Sequence, residues 1–317
     1  MNSIIKSGLK FVLFILGALV ILLLFFYKTD TPKNIVKEKY TNDASRFMSI
    51  MGMEVHYRDE GNLNDSIPIL FLHGLSSSLH TWDSLANKLI DKKRIIRLDL
   101  PGFGLTGANP ERNYSTGYYN TFIDSFILTL NVKKYIIVGN SFGGNIAWNQ
   151  SLYRTDKIEK LILINSAGYP RTKEKGNIGF KLASLPFVGD LIKKITPKAL
   201  IKKSLQDAYS NDGKITDVIE SRYYDLLLCE GNRQATVDIF KQRVSPTPEK
   251  IKNIQAPTLI IWGEDDQMID VSNAYKFNKD IQGSTFEIIK NSGHVPMEET
   301  PQAVYDALIK FIEKNNY

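Results

Sequence analysis

The sequence predicts an α/β protein with a mostly parallel central sheet, flanking helices and an inserted helical cap. Three observations carry this expectation. Short apolar runs recur along the chain, several of them apolar throughout, as strands covered on both faces of a parallel sheet require. The stretches between them keep helical spacing of apolar residues. Finally, Gly139-Asn140-Ser141-Phe142-Gly143-Gly144 stands between an apolar run, Tyr135 to Val138, and a helix-like stretch, Asn145 to Leu152. With 317 residues and 43% apolar content, the chain can fill one large domain with an insertion, or two domains.

The elements follow in order. Residues 1–10 form a basic front containing Lys6 and Lys10. Phe11 to Tyr27 carries no charge and is almost entirely Leu, Ile, Val and Phe. As a helix this run is about 25 Å long, near the thickness of a bilayer's hydrocarbon core, so residues 11–27 are expected to be a single-pass membrane anchor. A cleaved secretory signal is the alternative, but no small-x-small site follows Tyr27; the chain goes directly to Lys28, Thr29 and Asp30. Lysines on both sides of the run leave the membrane side of the catalytic domain open.

Residues 28–45 read as a charged linker, and a core is expected over residues 46–170 and 248–317. Strands are expected at Glu54 to Arg58, Ile69 to Leu72, Ile95 to Leu98, Tyr135 to Val138, Leu161 to Ile164, Thr258 to Trp262 and Phe286 to Ile289. Between them, Trp82, Leu85, Ala86, Leu89 and Ile90 keep the i, i+3, i+4, i+7, i+8 spacing of a one-sided helix. Tyr119, Phe122, Ile123, Phe126 and Ile127 repeat it, as do Val304, Ala307, Leu308, Phe311 and Ile312. Strand and helix in alternation give a doubly wound sheet with ligands beyond its carboxyl ends.

The alternation lapses over residues 171–247, where helix-like pieces break at Pro186, Gly189, Pro197 and Gly213; this is the expected cap over the substrate cavity. The net charge of +6 is concentrated there, because Arg171 to Lys203 holds nine cations against two anions. That excess suits a solvated helical face or attraction to anionic lipid. No aromatic interleaving or nucleic-acid motif accompanies it, so nucleic acid is not an expected partner. The single cysteine, Cys229, excludes an internal disulfide and a cysteine-based metal site.

The glycine-flanked Ser141 has the form of a nucleophile elbow, in which small neighbours let the backbone turn sharply and leave the hydroxyl exposed. A serine hydroxyl needs a base within hydrogen-bond reach, itself oriented by a carboxylate. Of four histidines only His294, in the turn Asn291-Ser292-Gly293-His294, lies downstream of Ser141, as the order serine, acid, histidine requires. His73, beside Gly74 at a strand end, suits an oxyanion loop; His56 and His80 read as structural or surface residues. The loop after Thr258 to Trp262 offers four carboxylates, Glu264, Asp265, Asp266 and Asp270. Two backbone donors are expected for an oxyanion, the N–H groups of Phe142 and Leu75, whose side chains are then free to line an apolar pocket.

Together these segments resemble the α/β-hydrolase fold enzymes, with the likeness running from about Arg46 to Phe311. It is carried by His73-Gly74, Asp99-Leu100-Pro101-Gly102-Phe103-Gly104, Gly139 to Gly144, Trp262 to Asp266, and Gly293-His294-Val295-Pro296-Met297-Glu298. The resemblance implies a triad of Ser141, Asp266 and His294, a helical cap, no metal and no cofactor. Its W-G-x-x-D pattern puts the acid at Asp266, with Asp265 as the alternative; the family's other acid position, after the preceding strand, is here Asn165. Haloalkane dehalogenases and epoxide hydrolases of the fold use an aspartate nucleophile, which Ser141 excludes. Esterases and monoacylglycerol lipases are similar, some with an amino-terminal anchor, and imply a membrane-bound hydrolase of small apolar ester or lipid-like substrates. Carbon-carbon bond hydrolases of ring-cleavage products share the elbow but usually carry tryptophan after the histidine, where this chain has Val295. Non-catalytic ligand-binding members are a third expectation.

Overall fold

The computed structural model describes residues 26–170, 193–242 and 247–314, together with residues 7, 8, 10, 11, 13–15 and 17. Among the described residues eight strands form one sheet. They are β1 (Ser45–Ile50), β2 (Met53–Gly61), β3 (Ile69–Leu72), β4 (Arg94–Leu98), β5 (Tyr135–Asn140), β6 (Ile158–Ile164), β7 (Thr258–Gly263) and β8 (Thr285–Ile289). Their order across the sheet is β1-β2-β4-β3-β5-β6-β7-β8. β2 runs antiparallel to both β1 and β4, and every other pairing is parallel. The structure therefore has the mostly parallel α/β architecture that the sequence predicts.

Burial explains why the short runs become strands. All four residues of β3 and all six of β5 and β7 are buried, so each strand is covered on both faces. Alternation sends Ile69 and Phe71 to one face of the sheet and Leu70 and Leu72 to the other, and each pair joins a separate apolar cluster. On the Leu70 face packs α3 (Thr116–Thr129), with Tyr119, Phe122, Ile123, Phe126 and Ile127 all buried. Burying a side chain such as Phe122 contributes roughly 1.5–3 kcal/mol, and Ser115 caps the helix by accepting the Tyr118 N–H at 3.3 Å. α4 (Phe142–Tyr153) and α8 (Ser272–Asp280) share this face, through Ile146, Trp148, Ala274 and Phe277. The opposite face is covered by α2 (Asp83–Leu89) and α10 (Pro301–Glu313), through Leu85, Leu89, Val304 and Leu308.

Two features differ from the sequence reading. The stretch expected as a linker holds α1 (Lys33–Tyr40), whose only buried residue is Val36. It has no apolar stripe to advertise it; Tyr40 and Lys39 instead bond Asp225, at 2.8 and 2.5 Å. The expected single-pass anchor is contradicted: among the described residues no helix is long and apolar enough to cross a membrane. A helix of seventeen residues would be about 25 Å long, at the lower limit for a hydrocarbon core of roughly 30 Å. Residues 12, 16 and 18–25 of that run lie outside the described residues. Where the run ends, Tyr27 pairs with Ile195 and Lys28 N–H donates to Lys194 O at 2.8 Å.

Between β6 and β7 lie α5 (Lys198–Ala208), α6 (Asp217–Leu228) and α7 (Asn232–Lys241). Residues 171–192 and 243–246, with Pro186, Gly189, Arg171, Lys173, Lys175 and Lys181, lie outside the described residues. Of the cations that are described, Lys198 pairs with Glu220 at 3.7 Å and Lys203 with Asp207 at 2.7 Å, as on a solvated helical face. The short α9 (Pro296–Glu299) follows the loop after β8.

Sheet order fixes where chemistry belongs. From β3 the chain crosses to β4 on one side, and from β5 to β6 on the other. The carboxyl ends of β3 and β5 therefore flank a topological switch point, where the diverging connections leave a crevice.

Candidate active site

Ser141 follows β5 directly and precedes α4, with φ 53° and ψ −112°. A non-glycine residue at positive φ costs about 1–3 kcal/mol and persists only where its surroundings hold it. Here Ser141 N–H donates to Ile164 O at 3.1 Å, and Ser141 O accepts the N–H of Asn145 and Ala167. The neighbouring glycines serve close approach rather than unusual φ. A Cβ on Gly139 would stand 2.3 Å from Gly143 O, and one on Gly143 would stand 2.2 Å from Leu72 O.

His294 lies in the loop after β8 and Asp266 in the loop after β7. The His294 Nδ1 and Asp266 Oδ2 atoms are 2.8 Å apart, both residues being buried. An ionised carboxylate only accepts, so Nδ1 carries the hydrogen and the lone pair is left on Nε2, the state a general base needs. Asp266 is itself held by four donors. Met268 and Ile269 N–H reach Oδ1 at 2.8 and 2.9 Å, and Asn165 Nδ2 joins His294 on Oδ2 at 2.7 Å. Asp265, the alternative acid, instead accepts the Ser210 hydroxyl at 2.9 Å.

Ser141, Asp266, His294, Leu75 and Phe142 all line one cavity of about 1410 Å³ beyond the carboxyl ends of the strands. Phe142 opens α4, so its N–H belongs to the helix's first turn, whose donors have no carbonyl partner within the helix. Its ring packs edge-on against Tyr119 and Phe103. Leu75 sits in the loop after β3, beside Ser76 at φ 56°. His73 holds that loop: Nδ1 donates to Gly74 O at 2.8 Å, and Nε2 accepts Leu100 N–H at 2.9 Å. Burial lowers the pKa of His73, and the acceptor role of Nε2 fits the neutral ring. His56 and His80 are buried away from the cavity; His56 Nδ1 lies 2.8 Å from Asp99 Oδ2.

Some residues around the site were not singled out from sequence. Asn140 Nδ2 donates to Ile164 O at 3.2 Å and to His294 O at 3.0 Å, so the residue before Ser141 ties the end of β5 to the histidine loop. Asn165, read only as a failed acid, stands behind Asp266 as a donor. Asn140 ends β5 at the switch point, and Asn165 follows the adjacent β6. Glu299 holds the same loop from the other side, accepting Gly293 N–H at 2.7 Å and Ser210 N–H at 3.1 Å.

Comparison with known proteins agrees with this fold. A family model described as the alpha/beta hydrolase family matches residues 69–307. The chain is 28% identical to a 2-hydroxy-6-oxo-6-(2'-aminophenyl)hexa-2,4-dienoic acid hydrolase of Metapseudomonas resinovorans, over 86% of this chain and 91% of that protein. It is 27% identical to monoacylglycerol lipase abhd6-B of Xenopus laevis, over 83% of each. A solved membrane phospholipase A, described as a bacterial virulence factor, superposes with a TM-score of 0.74 at 23% identity, covering 97% of this chain and 98% of that one, a likeness of fold. With an eight-stranded, mostly parallel sheet and a model match spanning most of its length, the chain belongs to the alpha/beta hydrolase family.

Proposed function

We propose that this hydrolase cleaves carboxylic esters of apolar substrates through an acyl-enzyme on Ser141. The observation that carries the reading is the Asp266-oriented His294, 2.8 Å between Nδ1 and Oδ2, facing the same cavity as a strained, glycine-crowded Ser141. His294 Nε2 takes the Ser141 proton as Oγ attacks the ester carbonyl. The N–H groups of Leu75 and Phe142 receive the oxyanion. The alkoxide then leaves with the proton from His294, and water, deprotonated by the same nitrogen, releases the acid and restores Ser141. In this reading the core, residues 46–170 and 248–317, carries the triad, and residues 171–247 form a cap that walls the cavity.

The choice of substrate class rests on the lining. A cavity of about 1410 Å³ exceeds the roughly 300–1,000 Å³ that encloses a drug-sized ligand, and suits a long acyl group. Leu75, Phe142, Trp148, Ile201, Leu205 and Ile239 supply apolar surface. Among the described lining residues Lys250 stands as a cation against Glu264, Asp265, Asp266 and Asp270. That balance favours a neutral ester, such as the monoacylglycerol lipase relative takes, over a dienoic acid. A carbon-carbon bond hydrolase is the second reading, favoured by the 28% identical relative.

A hydrolysis panel separates them. With p-nitrophenyl esters, monoacylglycerols and a vinylogous diketone acid as substrates, the proposal expects the two ester classes to have the higher kcat/KM. Preference for the diketone acid would reverse it.

A further inference from the structure

The carboxylate of Glu298, four residues after His294, is buried and saturated. Oε1 accepts the hydroxyls of Thr81 and of Tyr223, the latter at 2.6 Å. Oε2 accepts the Tyr209 hydroxyl at 2.9 Å and Arg222 Nη2 at 2.6 Å. A carboxylate offers about four lone-pair sites, so each is used. The donors come from three separate segments. Arg222 and Tyr223 are on α6, Tyr209 directly follows α5, and Thr81 is in the 3-10 turn that leads from the loop after β3 into α2.

One of these donors reaches the cavity. Tyr223 lines it beside Leu75 and Ser77, and its hydroxyl accepts from Ser77 Oγ at 3.3 Å while donating to Glu298. Ser77 in turn closes the loop after β3, its N–H donating to Gly74 O at 3.3 Å. Between Gly74 and Ser77 the backbone holds Ser76 at φ 56°, a conformation a non-glycine residue keeps only under restraint. That restraint has two ends. His73 grips Gly74 from the sheet, and the Ser77, Tyr223, Glu298 chain grips the far end from the inserted helices and the histidine loop.

We propose that Glu298 is a positioning residue, which through Tyr223 and Ser77 fixes the loop carrying the Leu75 N–H relative to His294. This rests on the Ser141 reading above and adds to it the coupling of the oxyanion loop to the inserted helices. Removing an oxyanion donor costs about a hundred- to a thousandfold in kcat. Loosening the donor without removing it costs a part of that, on the order of tenfold, and falls on kcat because the contact forms in the transition state.

The test uses the full chain and p-nitrophenyl butyrate. Tyr223→Phe and Ser77→Ala keep the side-chain packing and remove one hydroxyl each. Each is expected to lower kcat about tenfold with KM within about twofold of the parent. The double variant is expected to fall no further than either single one, because both break one chain. Glu298→Gln is expected to lower kcat at least as much, measured per folded molecule after circular dichroism. A merely structural role lowers the thermal midpoint and leaves kcat per folded molecule at the parental value, and that outcome overturns the proposal. So does an additive double variant near a hundredfold. Ser141→Ala, run alongside, separates the two claims: if it abolishes turnover while the three variants keep parental kcat, only the positioning role falls, whereas parental turnover in Ser141→Ala removes both.

Discussion

At the scale of single residues, the site depends on contacts too short to admit any added atom. A Cβ on Gly143 would lie 2.2 Å from Leu72 O and 2.5 Å from His73 O, both backbone atoms that cannot move aside. Gly143→Ala is therefore expected to destabilise the fold by about 1–3 kcal/mol or more, seen as a lowered urea midpoint, and a parental midpoint would contradict the packing. Asp266→Asn keeps the shape but sets an amide against a ring nitrogen that now donates. It is expected to cost roughly ten-thousandfold in kcat while leaving the circular dichroism spectrum unchanged; ester turnover within tenfold of the parent would contradict the role of Asp266. That Ser141 and His294 line one cavity was legible in the sequence because their signals are local, a glycine-flanked turn and a unique downstream position. Asp266 and Asp265 differ in direction, since one carboxylate meets His294 and the other meets Ser210. Asn140, Asn165 and Glu298 were not legible, because each acts on a group at least 24 positions away or through donors that only the folded chain assembles.

At the scale of elements, the strands and helices that bury a full face were legible, as was β8 with only Ile289 buried, whereas α1, held by polar contacts, was not. β3 runs over the four residues the apolar run marks, and α3 buries the whole stripe that its spacing predicts. By contrast β1, with only Ile50 buried, forms because β2 pairs with it along its length, and α1 forms against α6 with a single buried side chain. The segment before α1 is held in the same manner. Asp30 Oδ1 lies 2.6 Å from Arg233 Nη2, and Arg233 also donates to Lys28 O at 2.7 Å. The guanidinium is 4% exposed but Asp30 is 32% exposed, so solvent screening moderates the pair. Asp30→Ala is expected to destabilise by about 1–2 kcal/mol, a few degrees in Tm, by leaving the buried cation short of a partner. An unchanged Tm would show that the segment is not docked through this pair.

At the scale of the whole molecule, two buried neutral histidines make stability depend on pH. Burial pushes the pKa of His80 down to about 4 and lowers that of His73 as well. In the unfolded chain both titrate near 6.5, so between about 6.5 and 4 the unfolded state binds more protons than the folded one. Stability is thus full above about 6.5 and is lost as pH falls toward 4, on the order of 2–3 kcal/mol from His80. Protonation also opposes the bonding seen, because His73 Nε2 must accept Leu100 N–H. Urea unfolding at pH 7 and pH 5 is expected to show the lower midpoint at pH 5, with a smaller difference in His80→Gln; equal midpoints at the two pH values would contradict neutral burial. The proposed turnover passes through a covalent acyl group on Ser141. Intact-mass measurement after a fluorophosphonate ester, followed by peptide mapping, tests it most directly. One adduct per chain on the peptide containing Ser141, absent in Ser141→Ala, is the predicted result, and an unmodified Ser141 peptide alongside continuing ester hydrolysis would contradict it.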